Sequence, residues 1–485
     1  MVYEVKVNEL AEEFGVHRNT IRNWINSGTL PAQEGPGRRY LIQLEDYRKL
    51  CEKYGRTPRI DVTQSPVQPP LDTELPIDNF DTEPSLLTGK SSSLYSEPAL
   101  ADTCNTCGSC ASSCPISGVD GLDPRKIVRM AFLGFEEELL ASDWPWKCTL
   151  CGRCEESCPM NVRIVELMRA LRASRPRGKV PSPIQKGITT CLEKGNNLGI
   201  PKTDFMDLLS SLGKELHNSD CPGFSTPIDV RGSRLLITIN SKEPFAQPEN
   251  MTWWWRIFHA AKESWTISSE NWEGVNWALY SGDDNAMKTI VERIVDNMER
   301  LNCQALLLPE CGHAYYATRL GLQRWFPETL EKFTVYSVFD LLMEYISEKR
   351  ITLDNTTHTQ LTAIHDSCNY GRKSLKTFGN AFYEESRAIV QACCPNYTEL
   401  LPNRNDTYCC GAGGGAWASP YTVERVYYGS KKARQIKESK AKLIVTSCHN
   451  CKDQMEKSLN REFDLDIEVK YIWELVAQSL TRVLS

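Results

Sequence analysis

Long apolar runs are missing from this sequence of 485 residues. No stretch approaches the roughly 18 consecutive apolar residues that mark a membrane-spanning helix, and the N-terminus lacks the basic-then-apolar pattern of a secretory signal. An excess of positive charge is missing as well, because the formal net charge is −6, which argues against a general nucleic-acid binder. We therefore expect a cytoplasmic protein that lies on the inner face of the cytoplasmic membrane only through partner subunits.

Cysteine, in contrast, is abundant. The chain carries 20 cysteines without a secretory signal, which indicates metal or redox chemistry rather than a disulfide framework. The length predicts about two to four domains, and a hydrophobic fraction of 41% is sufficient to build their cores. We expect a multidomain α+β chain.

Two runs of the form C-x2-C-x2-C-x3-C-P stand between residues 101 and 180. Three closely spaced cysteines let one loop hold three corners of an iron–sulfur cubane, whereas the fourth, followed by proline, serves the other cubane. The spacing therefore predicts two cubane 4Fe–4S clusters, and it is far more specific for them than for zinc. The first cluster is predicted to take Cys104, Cys107, Cys110 and Cys158, and the second Cys148, Cys151, Cys154 and Cys114.

A further cysteine group is centred on the glycine-rich residues 409–415. Adjacent cysteines form a disulfide only with strain, and glycines add no core volume, so a metal-binding turn is the better interpretation. Four thiolates suffice for a cubane, and a fifth predicts a cluster of unusual shape with a bridging or extra ligand. A structural zinc site and unliganded packing are the alternatives. The five predicted ligands are Cys368, Cys409, Cys410, Cys448 and Cys451.

These cysteines resemble the cysteine-rich CCG domain of heterodisulfide reductases, which implies a noncubane 4Fe–4S cluster that cleaves a disulfide. The ferredoxin stretch, with residues 123–141 predicted as one amphipathic helix, is similar to the helical ferredoxins of C-type heterodisulfide reductase subunits and of succinate dehydrogenase. The fused order, ferredoxin before CCG domain, resembles the D-type subunits of heterodisulfide reductase. Within that group, residues 310–313 are most similar to the DsrK subunits of sulfur metabolism.

Residues 181–485 alternate short apolar runs with helical stretches, which favours largely parallel strands in an α/β arrangement. CCG domains often come in pairs, and the first copy here is degenerate. Residues 277–283 stand where a double cysteine is expected, and Cys311 stands alone where the intact copy has two cysteines. We expect the first half to shape the pocket of a duplicated CCG domain, and Cys311 to lack partners within the degenerate copy. The predicted strands are 235–239, 305–308, 335–338, 361–365 and 443–446.

The N-terminal segment resembles a MerR-type winged helix-turn-helix, with helices at 7–14, 19–27 and 44–54 and a wing at 35–40. Its eight Lys and Arg residues balance its eight Asp and Glu residues, so little affinity for phosphates is expected, and we favour docking over DNA binding. The predicted domains are the winged helix at 1–55, a proline-rich linker at 56–100, the ferredoxin at 101–180, the degenerate copy at 181–355 and the intact CCG domain at 356–485.

The resemblance implies a heterodisulfide reductase-like oxidoreductase acting on sulfur groups in a membrane complex. Its expected partners are a cytochrome b-type membrane subunit linked to quinone, further subunits of the complex, and a small DsrC-like sulfur carrier whose C-terminal cysteines form a disulfide or trisulfide. Breaking an S–S bond takes two electrons and leaves thiolates that need protons. The candidate catalytic residues are Cys311, His313, His449 and His365.

Two other functions stay open at this point. Iron–sulfur subunits of glycolate, lactate and glycerol-3-phosphate oxidases also combine such ferredoxins with CCG domains, and they act as electron conduits for a flavin dehydrogenase. A DNA-bound redox regulator would instead use the N-terminal helix-turn-helix.

Overall fold

The computed structural model describes residues 2–14, 16, 20–21, 24–25, 27–35, 39–54, 104–175, 177–275, 277–309 and 311–481. The chain divides into two units, Met1–Leu87 and Thr88–Ser485. The predicted linker, part of the predicted helix at 19–27 and the centre of the predicted wing lie outside the described residues.

The N-terminal unit combines short antiparallel strands with helices. In the part that is described, the central strand β3 pairs with both β1 and β2. Helix α1 spans the predicted residues because Leu10, Ala11 and Phe14 are spaced to face one buried core. The elements are β1 (Val2–Lys6), α1 (Val7–Phe14), β2 (Ala32–Gly35), β3 (Arg39–Gln43) and α2 (Leu44–Lys53).

The second unit begins with a helical segment whose core includes Ile127 and Leu167. The prediction of one helix over 123–141 is wrong. Asp123 caps α4 by accepting hydrogen bonds from two backbone amides, but the helix ends at Phe132 and Gly134 adopts a φ of 81° before α5 begins. The helices are α3 (Ser109–Ser113), α4 (Pro124–Phe132), α5 (Glu136–Ala141), α6 (Trp144–Lys147), α7 (Arg153–Glu156), α8 (Ile164–Ala173), α9 (Ser182–Lys194) and α10 (Lys202–Asn218).

Two four-stranded parallel sheets follow within the described part of this unit, one in each half. The first half contains β4 (Leu235–Ile237), α11 (Glu243–Ala246), α12 (Glu249–Ala260), β5 (Trp265–Ile267), α13 (Trp277–Ser281), α14 (Asp284–Arg300), β6 (Ala305–Leu307), α15 (Gly312–Trp325), α16 (Pro327–Lys332), β7 (Thr334–Tyr336) and α17 (Val338–Ser347). The second half contains β8 (Thr362–His365), α18 (Arg372–Phe378), α19 (Tyr383–Cys393), β9 (Tyr397–Thr398), α20 (Thr422–Tyr428), α21 (Ser430–Ser439), β10 (Leu443–Thr446), α22 (His449–Asp453), α23 (Asn460–Phe463), β11 (Glu468–Tyr471) and α24 (Ile472–Gln478).

The two sheets have the same strand order. The first runs β5-β4-β6-β7 and the second β9-β8-β10-β11, so the first strand of each half lies between its second and third strands. This shared topology supports a duplication, and it makes β6 the counterpart of β10. The two halves also share a hydrophobic core, in which the rings of Trp254 and Trp473 stack with centroids 6.0 Å apart.

Each of the five predicted strands coincides with an observed strand to within a few residues, and β10 has the predicted bounds. Strands β5, β9 and β11 were not predicted. In the part of the chain that the structure describes, no helix combines the length and the apolar character needed to cross a membrane.

Candidate functional site

The five cysteines of the predicted CCG site line one cavity. Strand β8 delivers His365 and Cys368, and the neighbouring strand β10, whose Thr446 pairs with His365, delivers Cys448. Parallel strands bring such residues together because their carboxyl ends meet at one edge of the sheet. The five cysteines are Cys368, Cys409, Cys410, Cys448 and Cys451, of which Cys368 is partly exposed and the others are buried.

The sulfur atoms of this cavity lie close enough to interact directly. The Sγ atoms of Cys410 and Cys451 are 3.2 Å apart. Hydrogen bonding to neighbouring thiols lowers the pKa of Cys448 to about 6, whereas burial raises the pKa of Cys368 to about 12. Thiolates crowded into one closed space repel one another unless protons or a metal ion neutralise their charge. This group of sulfurs therefore suits a shared metal centre, because a bound metal takes the place of those protons.

The first half also contributes to this cavity through His313, and Cys311, which was expected to lack partners within the degenerate copy, has a neighbouring sulfur in the intact copy. The Sγ atom of Cys311 lies 3.5 Å from the Sγ atom of Cys448 and 3.2 Å from Nδ1 of His313. The ring of Tyr280 packs edge-on against His313, with the ring centroids 5.0 Å apart. Tyr280 was not predicted as a site residue. It lies in residues 277–283, where a double cysteine was expected, and that position was the signal in the sequence that could have indicated it.

The glycine-rich turn lets the backbone approach its neighbours closely. A Cβ atom on Gly411, whose φ is 95°, would stand 2.5 Å from the carbonyl oxygen of Arg425. A Cβ atom on Gly413 would stand 2.5 Å from the carbonyl oxygen of Thr149. The turn therefore needs glycine at these positions for steric reasons, which matches its prediction as a metal-binding turn.

Buried positive charge surrounds the cavity. Arg372 is only 2% exposed, and its Nε and Nη1 atoms find no hydrogen-bond partner among the described residues. Lys432 is fully buried, and burial lowers its pKa to about 8. Lys373, the next residue in the chain, is also buried. Cations and unpartnered N–H groups beside the cavity fit an anionic, sulfur-rich group.

The three candidate histidines differ in their surroundings. His313 and His365 line the cavity, whereas His449 does not. Nδ1 of His365 has no hydrogen-bond partner among the described residues, and burial holds its pKa well below the usual range. His449 instead has Nε2 placed 2.9 Å from a carboxylate oxygen of Glu243 and Nδ1 placed 2.5 Å from the hydroxyl of Tyr471.

The eight ferredoxin cysteines gather around two further cavities. Each cavity takes three cysteines from one run and the fourth cysteine of the other run, which is the arrangement that the spacing predicts. One cavity is lined by Cys104, Cys107, Cys110 and Cys158, and the other by Cys114, Cys148, Cys151 and Cys154.

The second of these cavities adjoins the CCG cavity. The hydroxyl of Thr149 lies 3.5 Å from the Sγ atom of Cys409, and a side-chain hydrogen bond to Cys409 is the main cause that raises the pKa of Cys151 well above its usual value. Arg172 joins the two loops, because its guanidinium donates to the carbonyl oxygens of Cys148 and Gly414 at 2.5 and 2.9 Å. The two sites therefore share a wall built from residues 148–151 and 409–414.

Comparison with known proteins agrees with this arrangement. A model of 4Fe-4S dicluster domains matches residues 100–162, a model of a cysteine-rich domain matches residues 362–456, and a helix-turn-helix model matches residues 5–46. The D-type subunit of the dihydromethanophenazine:CoB–CoM heterodisulfide reductase of Methanosarcina barkeri is 22% identical over 197 residues, which cover 41% of this chain and 46% of that protein. The chain is thus similar to heterodisulfide reductase D-like iron–sulfur proteins in its dicluster and cysteine-rich domains.

The names of two other relatives refer to a quinone or a quinol. An Hdr-like menaquinol oxidoreductase iron-sulfur subunit 2 of Archaeoglobus fulgidus is 23% identical over 59% of this chain and 58% of its own length. An EtfAB:quinone oxidoreductase of Syntrophomonas wolfei is 23% identical over 35% of this chain and 23% of its own length. The chain thus spans less than two thirds of these relatives. Among solved structures, a glutamate racemase of Bacillus anthracis covers 51% of this chain with a TM-score of 0.25, too low to indicate a fold.

Proposed function

We propose that this chain is the iron–sulfur subunit of a membrane-associated redox complex that transfers electrons between a quinone-linked cytochrome b-type partner and a disulfide or trisulfide on a small sulfur-carrier protein. The observation that carries the proposal is the shared wall between the cavity of Cys148, Cys151 and Cys154 and the cavity of the five CCG cysteines. A chain that only stored iron–sulfur groups would not need an electron-transfer site in contact with a second sulfur-rich site.

The residues present fit the groups that this function requires. Two cubane 4Fe–4S clusters would be held by the two ferredoxin cysteine sets, and one noncubane 4Fe–4S cluster by Cys368, Cys409, Cys410, Cys448 and Cys451. Cysteine thiolates are the donors that such clusters use. When bound, these groups supply one-electron transfer and iron sites with affinity for sulfur.

The side chains around the CCG cavity suit the cleavage of an S–S bond. The overall change adds two electrons and two protons to the disulfide and gives two thiols. Arg372 and Lys432 place positive charge where negative charge collects on sulfur, and burial keeps water away from it. The imidazole of His365, which burial keeps neutral, lines the cavity and has a buried Nδ1 without a partner among the described residues, so it is available to exchange a hydrogen bond with a newly formed thiol.

A single-turnover experiment tests the proposal. The anaerobically purified protein is reduced and mixed with a small carrier protein whose two C-terminal cysteines form a disulfide. The proposal expects the iron–sulfur centres to be reoxidised as carrier thiols appear, with about two electrons lost per disulfide. Unchanged centres and an intact disulfide after prolonged mixing would contradict it.

A conduit function is favoured by one specific observation, the similarity to an EtfAB:quinone oxidoreductase. In that case a reduced flavoprotein would reduce the oxidised centres, and the carrier disulfide would leave the reduced centres unchanged. Mixing the oxidised protein with a reduced flavoprotein, and the reduced protein with the carrier disulfide, therefore separates the two functions.

A further inference from the structure

Two groups of metal-binding donors stand within the CCG site, and neither of them is formed by the predicted ligands alone. His365, Cys410 and Cys451 form the first group, and Cys311, His313 and Cys448 form the second. In each group, the ligand atoms of the three residues lie within 4.8 Å of one another. The first group comes from the second half of the duplicated region, whereas the second group draws Cys311 and His313 from the first half.

The cross-half group is assembled by the topology of the duplication. Cys311 follows β6 and Cys448 follows β10, the equivalent strand of the other sheet. Their sulfurs are 3.5 Å apart, and Nδ1 of His313 lies 3.2 Å from one sulfur and 3.8 Å from the other. The first half therefore has no double cysteine at residues 277–283, but it places a cysteine and a histidine beside Cys448 of the intact copy.

The surroundings of this group favour ligation over a free thiol or plain packing. All three residues are buried, so neither the thiols nor the imidazole can be satisfied by bulk water. Two sulfurs and one imidazole nitrogen are a donor set that suits iron or zinc.

Tyr280 gives His313 a fixed orientation. Its ring packs edge-on against the imidazole at 5.0 Å, and it comes from α13, beside Gly282, which has a φ of 79°. In the intact copy, Gly411 follows Cys409 and Cys410 with a φ of 95°. The degenerate copy thus places an aromatic support where the intact copy places cysteine ligands, and the supported residue is a potential nitrogen ligand.

We propose that Cys311 and His313 ligate iron together with Cys448, so that the cluster of the proposed function is held by both halves of the duplicated region. The proposal rests on the proposed function, since it assumes that the CCG cavity holds an iron–sulfur cluster. Under this proposal, Cys311 and His313 bind metal directly and do not act as a free thiol and a proton donor. The cluster then has both sulfur and nitrogen ligands.

The test compares three variants of the full chain, purified anaerobically with their clusters. Cys311→Ser removes the sulfur donor, and His313→Gln removes the imidazole while keeping a polar side chain. Cys303→Ser is the control, because Cys303 is equally buried but stands before β6, at the end of the strand away from the site. Iron and sulfide content, Mössbauer spectra and pulsed electron paramagnetic resonance for nitrogen coupling are measured on each, and the ferredoxin signals of the same chain report whether it is folded.

The proposal expects Cys311→Ser to lose up to about four of about twelve iron atoms, and to change the spectrum of the remaining non-ferredoxin iron. It expects His313→Gln to lose a nitrogen coupling that the unmodified protein and Cys303→Ser both show. Full iron content with an unchanged spectrum in Cys311→Ser would show that Cys311 is not a ligand. The absence of nitrogen coupling in the unmodified protein would show that His313 is not a ligand. An unmodified protein with only about eight iron atoms would instead remove the cluster of the proposed function.

Discussion

The hydroxyl of Thr149 lies 3.5 Å from the Sγ atom of Cys409, although 260 positions separate the two residues in the chain. This contact places a ferredoxin cysteine loop directly against the glycine-rich turn of the CCG site. A side chain added at the turn where it faces this loop should therefore disturb the contact between the two sites.

Gly413→Ala should disturb this wall. The added methyl group would stand 2.5 Å from the carbonyl oxygen of Thr149, and a backbone atom cannot yield as a flexible side chain can. Forcing an extra methyl group into a packed site typically costs about 1–3 kcal/mol. We expect a melting temperature lower by several degrees, measured by thermal unfolding under anaerobic conditions. Gly178→Ala is the matched control, because a Cβ atom there meets nothing within 4 Å. Equal melting temperatures for the two variants would contradict the prediction.

Cys151→Ser should separate cluster assembly from electron supply. Cys151 lines the ferredoxin cavity that adjoins the CCG cavity, and it is not among the residues that line the latter. We expect the noncubane signal to persist in low-temperature spectra, while disulfide reduction driven by quinol falls to the background rate. Cys191→Ser, a buried cysteine outside all three cavities, serves as the control. Unchanged quinol-driven turnover in Cys151→Ser would show that electrons bypass this loop.

The sequence patterns predicted best those features that depend on short-range spacing. Helix α1 and strand β10 have the predicted bounds because their apolar residues repeat at helical spacing or run without interruption between polar turns. The helix predicted over 123–141 failed where Gly134 takes a left-handed conformation, which was a signal visible in the sequence. Strand β11 lacks the continuous apolar run of the predicted strands, although the alternation of Glu468 and Lys470 with apolar residues is itself a strand signal, and β9 has only two residues.

Site features that depend on long-range packing were out of reach. The spacing of the cysteines predicted which of them gather, because ligands of one cluster must converge. The approach of Cys311 to Cys448 depends on how the two sheets meet, and no local pattern encodes that. In the same way, the contact of His449 with Glu243 joins residues 206 positions apart, so no local signal distinguishes His449 from His313 and His365.

Arg372→Met should lower the reduction potential of the CCG centre. The guanidinium is buried beside the cavity, and removing a cation disfavours the more negative, reduced state. A change of about 1 kcal/mol for one electron corresponds to a shift on the order of 50 mV toward more negative values. Redox titration followed by electron paramagnetic resonance measures it, with Arg372→Lys as the variant that keeps the charge. A potential that is equal in Arg372→Met and Arg372→Lys would contradict an electrostatic role.

Glu273 should make the stability of the second unit depend on pH. Its buried carboxylate accepts hydrogen bonds from the backbone N–H of Asn197 at 2.6 Å and from the Ser241 hydroxyl at 3.0 Å, yet burial raises its pKa to about 7. An unfolded chain has an ordinary carboxyl pKa near about 4.3. The folded state therefore holds the proton more tightly, and this stabilisation is complete below about pH 4 and lost as the pH rises through about 7.

Glu273→Gln, which removes this titration, provides the comparison for that prediction. The melting temperature of the unmodified protein should fall relative to the variant between about pH 5 and pH 8, by an amount equivalent to about 3 kcal/mol. Thermal unfolding at several pH values measures the difference. A difference between the two proteins that stays constant over this range would mean that Glu273 does not hold its proton in the folded state.

The reduction of a carrier disulfide by the Cys409→Ser variant tests the central claim most directly. Cys409 lines the CCG cavity and contacts the ferredoxin loop, so its sulfur belongs both to the proposed cluster and to the wall between the sites. We predict that the variant keeps about eight iron atoms with both cubane signals, loses the noncubane signal and no longer reduces the disulfide. Full disulfide reduction by Cys409→Ser would contradict the account and leave the chain as an electron conduit.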